Sequence, residues 1–223
     1  MISESKNSML FRMPCFNETL GHTVILADGK FPENQQVLNL LKSAKEIICC
    51  DGAANKLNSF GLEPSYIAGD LDSITPELKK LYAAKLYYSP DQETNDLTKA
   101  VELCIEKGLD NLYIIGATGL REDHTLANIS LLIDYAKDVK VDMLTDYGVF
   151  TPILSTANFE SKKGQQVSIF SLTPDCPLTL HGLKYPVNNR PFTSWWQGTL
   201  NEALGDVFRI EFGNGKLIVF REY

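Results

Sequence analysis

The sequence predicts an α/β chain: an N-terminal, mostly parallel sheet with helices on both faces, followed by a small C-terminal all-β domain. Three observations carry this. From Thr23 to about Thr145, short apolar runs alternate with helix-length amphipathic runs, as βα units around a buried parallel sheet do. Past Asp146 the helical period stops and only strand-like runs remain. The length of 223 residues is enough for two modest cores. The break in pattern divides the chain into domains 1–146 and 147–223.

The elements follow in order. TVILA (23–27) reads as a strand and ENQQVLNLLKSA (33–44) as a helix entered through Pro32. EIICC (46–50) is a strand, and the helix over Ala53 to Phe60 is ended by Gly61. YIAGD supplies a short strand, TPELKKLYA a helix and KLYYS a strand. TNDLTKAVELCIEK is a helix stopped by Gly108, NLYIIG a strand, DHTLANISLLIDYAK a helix and VKVDMLT the last strand of this part. VSIFSL, LTLHGLKY, DVFRIEF and KLIVFREY are the strands of the tail. FGNGK sets Asn214-Gly215 between two alternating runs, a strong hairpin signal. No helix follows Lys216, which argues against a phosphate loop there. A β domain this small has edges to protect, so a partner subunit is expected.

Composition excludes several classes. With 44% hydrophobic and 22% charged residues the chain is an ordinary globular protein. A net charge of −7 argues against a general nucleic-acid or anionic-membrane surface. The N-terminal MISESKNSML lacks the basic start and apolar core of a signal peptide, and no apolar run approaches membrane-spanning length. The five cysteines (Cys15, Cys49, Cys50, Cys104, Cys176) form no CxxC pair, and the three histidines add no zinc-like spacing. Buried, reduced thiols in a soluble cytoplasmic protein are the expectation.

Ligands of an open parallel sheet bind beyond the carboxyl ends of its strands. Four such ends carry polar loops: Asp51-Gly52-Ala53-Ala54-Asn55 after EIICC, Gly69-Asp70-Leu71-Asp72-Ser73 after YIA, Pro90 to Asp96 after KLYYS, and Gly116 to His124 after NLYII. In GDLDS, an extended Asp-x-Asp points both carboxylates to one side. The plainer reading is a turn opening the next helix, with Ser73 as cap and Pro76 and Glu77 in its first turn. The other acidic loops favour a cation. Mg²⁺ takes about six hard oxygens, commonly one or two carboxylates plus phosphate and water. Asp70, Asp72 and Asp96 suit it, with Asp51 as a fourth carboxylate, and Arg121 suits phosphate through paired donors. Lys99, three residues after Asp96, either faces phosphate or forms an ordinary surface pair. His124 is a base or a cap, and Asn55 and Asn128 are site amides or helix-surface ones. No GxxxxGK[ST] is present, so the phosphate cradle is not a P-loop.

The series DGAAN, GDLDS, DQETNDLTKA and GATGLREDHTLAN, in this order, resembles the thiamine pyrophosphokinase (thiamine diphosphokinase) family. The tail is similar in kind through VSIFSL, GLKYPV and GTLNE. The resemblance implies a homodimer with a C-terminal β-sandwich. It implies an enzyme that transfers the diphosphate of ATP to the hydroxyl of thiamine and releases AMP. It makes Asp70, Asp72 and Asp96 the Mg²⁺ ligands. Asp51, Asn55, Gln92, Lys99, Thr118 and Arg121 fall to ATP, and Tyr185, Thr199 and Asn201 to thiamine. Asp96, Arg121 and Asp123 are the catalytic candidates, with Asp96 or Asp123 accepting the hydroxyl proton during in-line attack on the β-phosphorus. Two positions depart from the family pattern: Leu200 stands where a serine is usual, with Thr199 as substitute, and Leu120 stands for a common glycine. Trp195 and Trp196, taken as consecutive strand residues, point apart, so at most one reaches a ligand. The rivals are another Mg²⁺-dependent phosphotransferase or phosphohydrolase and a non-catalytic nucleotide-binding module.

Overall fold

A computed structural model describes residues 9–14, 16 and 21–223. It divides into two compact units, one from the described part of Cys15–Tyr147 and one joining the described part of Met1–Pro14 to Gly148–Tyr223. Cys15 lies outside the described residues.

The first unit is built on six strands: β2 Thr23–Leu26, β3 Glu46–Cys50, β4 Tyr66–Gly69, β5 Leu86–Tyr88, β6 Asn111–Ile115 and β7 Lys140–Leu144. They pair in the order β7-β6-β2-β3-β4-β5, every pair parallel. The central strands are apolar and buried along their length, as a sheet covered on both faces requires. The order reverses between β2 and β6. Right-handed crossovers therefore put α1 Gln35–Lys42, α2 Ala53–Ser59 and α3 Pro76–Leu81 on one face. They put α4 Asp96–Glu106 and α5 Glu122–Tyr135 on the other, where α4 packs on β3, β4 and α5. Such a reversal opens a crevice at the carboxyl ends of the strands.

Helix entries differ in detail from the sequence reading. α1 starts after Asn34, whose side chain accepts from the Gln36 amide, and Pro32 stays outside it. α3 is capped by Thr75, which accepts from the Leu78 amide, and Ser73 is not its cap. Pro76 fills the first helical position, where its missing N–H costs nothing. α4 is capped by Asn95, which accepts from the Thr98 amide. Among the described residues no helix is long and apolar enough to cross a membrane. Cys49, Cys50, Cys104 and Cys176 are buried free thiols, and burial pushes Cys104 up to about 12.

The second unit is a sandwich. One sheet runs β1-β9-β14-β11-β12 (Met9–Phe11, Ala157–Glu160, Val207–Phe212, Pro177–His181, Val187–Pro191). The other joins β13 Asn201–Glu202, β10 Gln166–Ser171, β15 Leu217–Glu222 and β8 Gly148–Ile153. Ile169 and Val219 of one face meet Phe159, Leu180 and Phe208 of the other in a single core. Phe159 stacks on Phe208 at 4.9 Å between centroids.

Two features of this unit were not read from the sequence. β1, assigned above to the N-terminal domain, pairs in parallel with β9. Phe11 stacks on Phe159, and the fully buried Arg221 donates to the carbonyls of Phe11, Arg12 and Glu160. The expected Asn214-Gly215 hairpin is absent, because β14 and β15 belong to opposite sheets. Neither Asn214 nor Gly215 adopts the positive φ that a two-residue type I′ turn requires, so the segment crosses the sandwich instead.

Candidate active site

A cleft of about 470 Å³ opens at the carboxyl ends of β2, β3, β4 and β6, walled by the first turns of α4 and α5. Asp51, Asp70, Gln92, Asp96, Lys99, Thr118 and Arg121 all line it. The Asp51, Asp70 and Asp96 side chains bring one oxygen each within 4.8 Å of one another. Gly69 makes that convergence possible. Its φ is +149°, and a Cβ there would sit 3.0 Å from the Asp96 carboxylate and 3.1 Å from Cβ of Asp51.

Asp51 itself takes a left-handed backbone (φ 37°), and its buried carboxylate faces the GDLDS loop. The Ser73 amide donates to one oxygen at 2.9 Å and the Ile74 amide to the other at 3.1 Å. Burial raises its pKa above the usual carboxylate range, and the two amides oppose that shift. The cluster thus consists of like charges fixed by the backbone, a site whose cheapest relief is a cation. Lys99 provides part of that relief. It is buried (side chain 3% exposed), and its Nζ lies 3.1 Å from Asp96, so it is no surface pair.

Asp72 does not join the three-oxygen group. Leu71 has φ 63°, so GDLDS turns rather than continuing the strand, yet the Asp72 side chain stays within hydrogen-bonding reach of Asp51 and Asp70. The exposed Asp72 carboxylate accepts from the Ser73 hydroxyl at 2.7 Å, the main reason its pKa is lowered. Asn55 is also not in the cleft wall. Its amide donates to the Ser73 carbonyl at 2.9 Å and accepts from the Thr75 amide at 3.1 Å, tying α2 to the acidic loop.

Arg121 and Asp123 meet each other at the rim, 2.5 Å apart and both exposed. The guanidinium holds the Asp123 carboxyl down at about 2. That depression lasts only while Arg121 is its partner. His124 and Asn128 line the same wall, and Asn128 donates to the Ala117 carbonyl at 2.9 Å.

Sequence reasoning missed Asp28, which lines the cleft beside Gly29. The strand-end rule applied to TVILA would have found it, since Asp28-Gly29-Lys30 follows that strand.

The thiamine candidates lie in the sandwich unit. Asn201 is buried, and its amide clasps the Tyr185 backbone, accepting from N–H at 3.0 Å and donating to C=O at 2.9 Å. Its side chain is therefore spent on positioning Tyr185, whose own side chain is 60% exposed. The Thr199 hydroxyl donates to the Trp196 carbonyl at 2.8 Å. Leu200, in the departing position, is exposed with φ 57°, an uncommon conformation for a branched side chain. Trp195 and Trp196 sit in a 3₁₀ turn, Trp195–Gly198, rather than a strand. Both are exposed, Trp196 more so, and Trp195 packs edge-on against Phe170 at 6.0 Å.

Known proteins match this architecture. A family model described as the thiamin pyrophosphokinase catalytic domain matches residues 37–143, and one for the substrate-binding domain of the same enzyme matches residues 148–220. The thiamine pyrophosphokinase of Bacillus subtilis (strain 168) is 31% identical over 173 residues, covering 72% of this chain and 79% of that protein. Thiamine pyrophosphokinase 1 of Oryza sativa subsp. japonica is 27% identical over 207 residues, 79% of this chain and 77% of that one. Among solved structures, the Bacillus subtilis enzyme superimposes with a TM-score of 0.75 at 26% identity, over 90% of this chain and 98% of its own. The yeast enzyme, at 19% identity, shares the fold with a TM-score of 0.80 over 100% of this chain and 94% of its own. The acidic cleft, the sandwich and these matches together show that the chain belongs to the thiamin pyrophosphokinase family.

Proposed function

We propose that the protein is a thiamine diphosphokinase, moving the diphosphate of ATP to the hydroxyl of thiamine and releasing AMP. The observation that carries this reading is the convergence of Asp51, Asp70 and Asp96 beside the buried Lys99, in a cleft of a chain of this family. Mg²⁺ fits these residues. Carboxylate oxygens within 4.8 Å of one another lie close to the spacing of ligands around one such ion, whose bonds are about 2.0–2.1 Å. Asp70 and Asp96, with Asp51, would hold it, and Asp72, exposed on the same loop and within hydrogen-bonding reach of Asp51 and Asp70, is a further oxygen donor. When bound, the metal neutralises polyphosphate charge.

The chain's own groups do the rest. Lys99 and Arg121 supply the cations that fix the phosphates, so positioning and electrostatics are the main sources of rate. Arg121 exchanges its exposed partner Asp123 for phosphate oxygens at little cost, since exposed pairs are weak. Asp96, oriented by Lys99, or Asp123, once Arg121 has turned to the phosphates, accepts the hydroxyl proton. Tyr185 offers an exposed aromatic face to the flat, positively charged thiazolium ring, an attraction of about 0.5–2 kcal/mol. The enzyme works as a homodimer.

Incubation with ATP, Mg²⁺ and thiamine is the test. AMP and thiamine diphosphate in equal amounts support the assignment, whereas ADP or free phosphate as the nucleotide-derived product overturns it.

A further inference from the structure

The loop Asp28-Gly29-Lys30 leaves β2 at the point where the strand order reverses, and it is fixed from both sides. On one side it is bonded to the loop after β6. The Gly29 amide donates to the Gly116 carbonyl at 2.7 Å and the Lys30 amide to the Thr118 carbonyl at 2.9 Å. On the other side Lys56, from α2, reaches across. Its ammonium lies 2.7 Å from the Asp28 carboxylate, 2.8 Å from the Asp28 carbonyl and 2.7 Å from the Gly29 carbonyl. An ammonium has three N–H donors, so this set of three acceptors saturates it.

The charge balance of the cleft gives this clamp a purpose. Asp28, Asp51, Asp70 and Asp96 line the cleft with Lys99 and Arg121 as the cations. Lys99 is paired with Asp96, and Arg121 with Asp123. Asp51, Asp70 and Asp96 form the group a metal can bridge, and Asp28 is outside it. An unneutralised Asp28 would face an incoming polyphosphate with nothing between them.

We infer that Lys56 is a positioning residue for nucleotide binding, which acts by removing the charge of Asp28 from the cleft. This rests on reading the cleft as the ATP site. Lys56 acts through Asp28 and has no need to touch the nucleotide. Ion pairs as exposed as this one (side chains 35% and 46%) add little to stability, so its effect belongs to ligand binding rather than to folding.

The test is calorimetric titration of the Mg²⁺ complex of a non-hydrolysable ATP analogue into the full-length protein. Lys56→Met should weaken binding about tenfold, the scale of one uncompensated charge a few ångströms from an anion. Lys56→Gln, which keeps amide donors for the carbonyls but loses the charge, should weaken it similarly. In Lys56→Met/Asp28→Asn the affinity should return to within about threefold of the original, because no bare carboxylate remains. In turnover assays the KM for ATP should rise with kcat nearly unchanged. A double variant that binds as weakly as Lys56→Met would overturn charge neutralisation and leave a mechanical brace. Variants that bind like the unmodified protein would overturn any role. Unmodified protein that fails to bind the analogue overturns the ATP-site assignment itself, a separate result.

Discussion

At the scale of single residues, two side chains with the same charge carry different work. Asp70 projects into the cleft with one amide contact, to Gln92 at 3.5 Å, and one from its own turn. Asp51 is buried, with both oxygens held by the amides of Ser73 and Ile74. Asp70→Asn should therefore keep the melting temperature while cutting turnover on the order of a hundredfold, since an amide is a poor Mg²⁺ ligand. Asp51→Asn should lower turnover and the melting temperature together, because it also disturbs the anchor of the acidic loop. Thermal unfolding beside the AMP-release assay separates the two. In the sandwich, Tyr185→Ala should raise the KM for thiamine more than that for ATP. Asn201→Ala should do the same at a stability cost of about 1–3 kcal/mol, since it strips partners from the Tyr185 backbone. Equal shifts of both constants for Tyr185→Ala would mark that residue as structural.

Among the elements, the strand ends were the legible part, and geometry between loops was not. The order βα repeated on one strand after another makes a parallel sheet, and a parallel sheet opens its crevice at the carboxyl ends, so the placement of Asp51, Asp70 and Asp96 beside one cleft was readable from their positions, whereas the burial of Lys99 inside α4 was not. What local pattern does not encode is a residue such as Leu71, whose left-handed backbone ends the strand and sets the Asp72 side chain against Asp51 as well as Asp70. The Asn214-Gly215 pair failed for a related reason: a turn dipeptide signals a hairpin only if the flanking strands pair, and pairing is decided by the sandwich. β1 was invisible because three residues carry too little periodicity, and its place depends on Phe159 and Arg221 far along the chain. The 28–30 loop gives a direct test of how tightly these elements meet. A Cβ on Gly29 would fall 2.4 Å from the Gly116 carbonyl oxygen and 2.7 Å from that of Thr118, both backbone atoms that cannot step aside. Gly29→Ala should destabilise the protein by roughly 1–3 kcal/mol in urea unfolding and weaken nucleotide binding. Alanine at Gly61, where no atom lies within 4 Å, strains only its own φ of +85° and should leave nucleotide affinity unchanged. Equal losses of affinity at both positions would refute the idea that loop contact is what matters.

At the scale of the whole molecule, the sandwich unit leaves Tyr185, Trp196, Leu200 and Leu204 exposed at 60%, 74%, 75% and 52%. Exposed apolar side chains of this size in a small domain favour a partner that covers them. The carboxylates and Lys99 belong to one unit and Tyr185 to the other. We expect a homodimer in which the cleft of one subunit is completed by Tyr185 of its partner. Light scattering on the purified protein should give twice the chain mass. The sharper measurement mixes two impaired variants, Asp70→Asn and Tyr185→Ala/Asn201→Ala, assayed at thiamine concentrations well below the raised KM and carrying different tags so that the heterodimer can be isolated. If sites are shared, both defects fall in one site of the heterodimer and the other site is built from two intact halves. Activity then returns to about half that of the unmodified dimer. If each subunit carries its own complete site, every site in the heterodimer keeps one defect and no activity returns. Isolated heterodimers without recovery would overturn site sharing, and a fully active monomer would overturn the dimer as well.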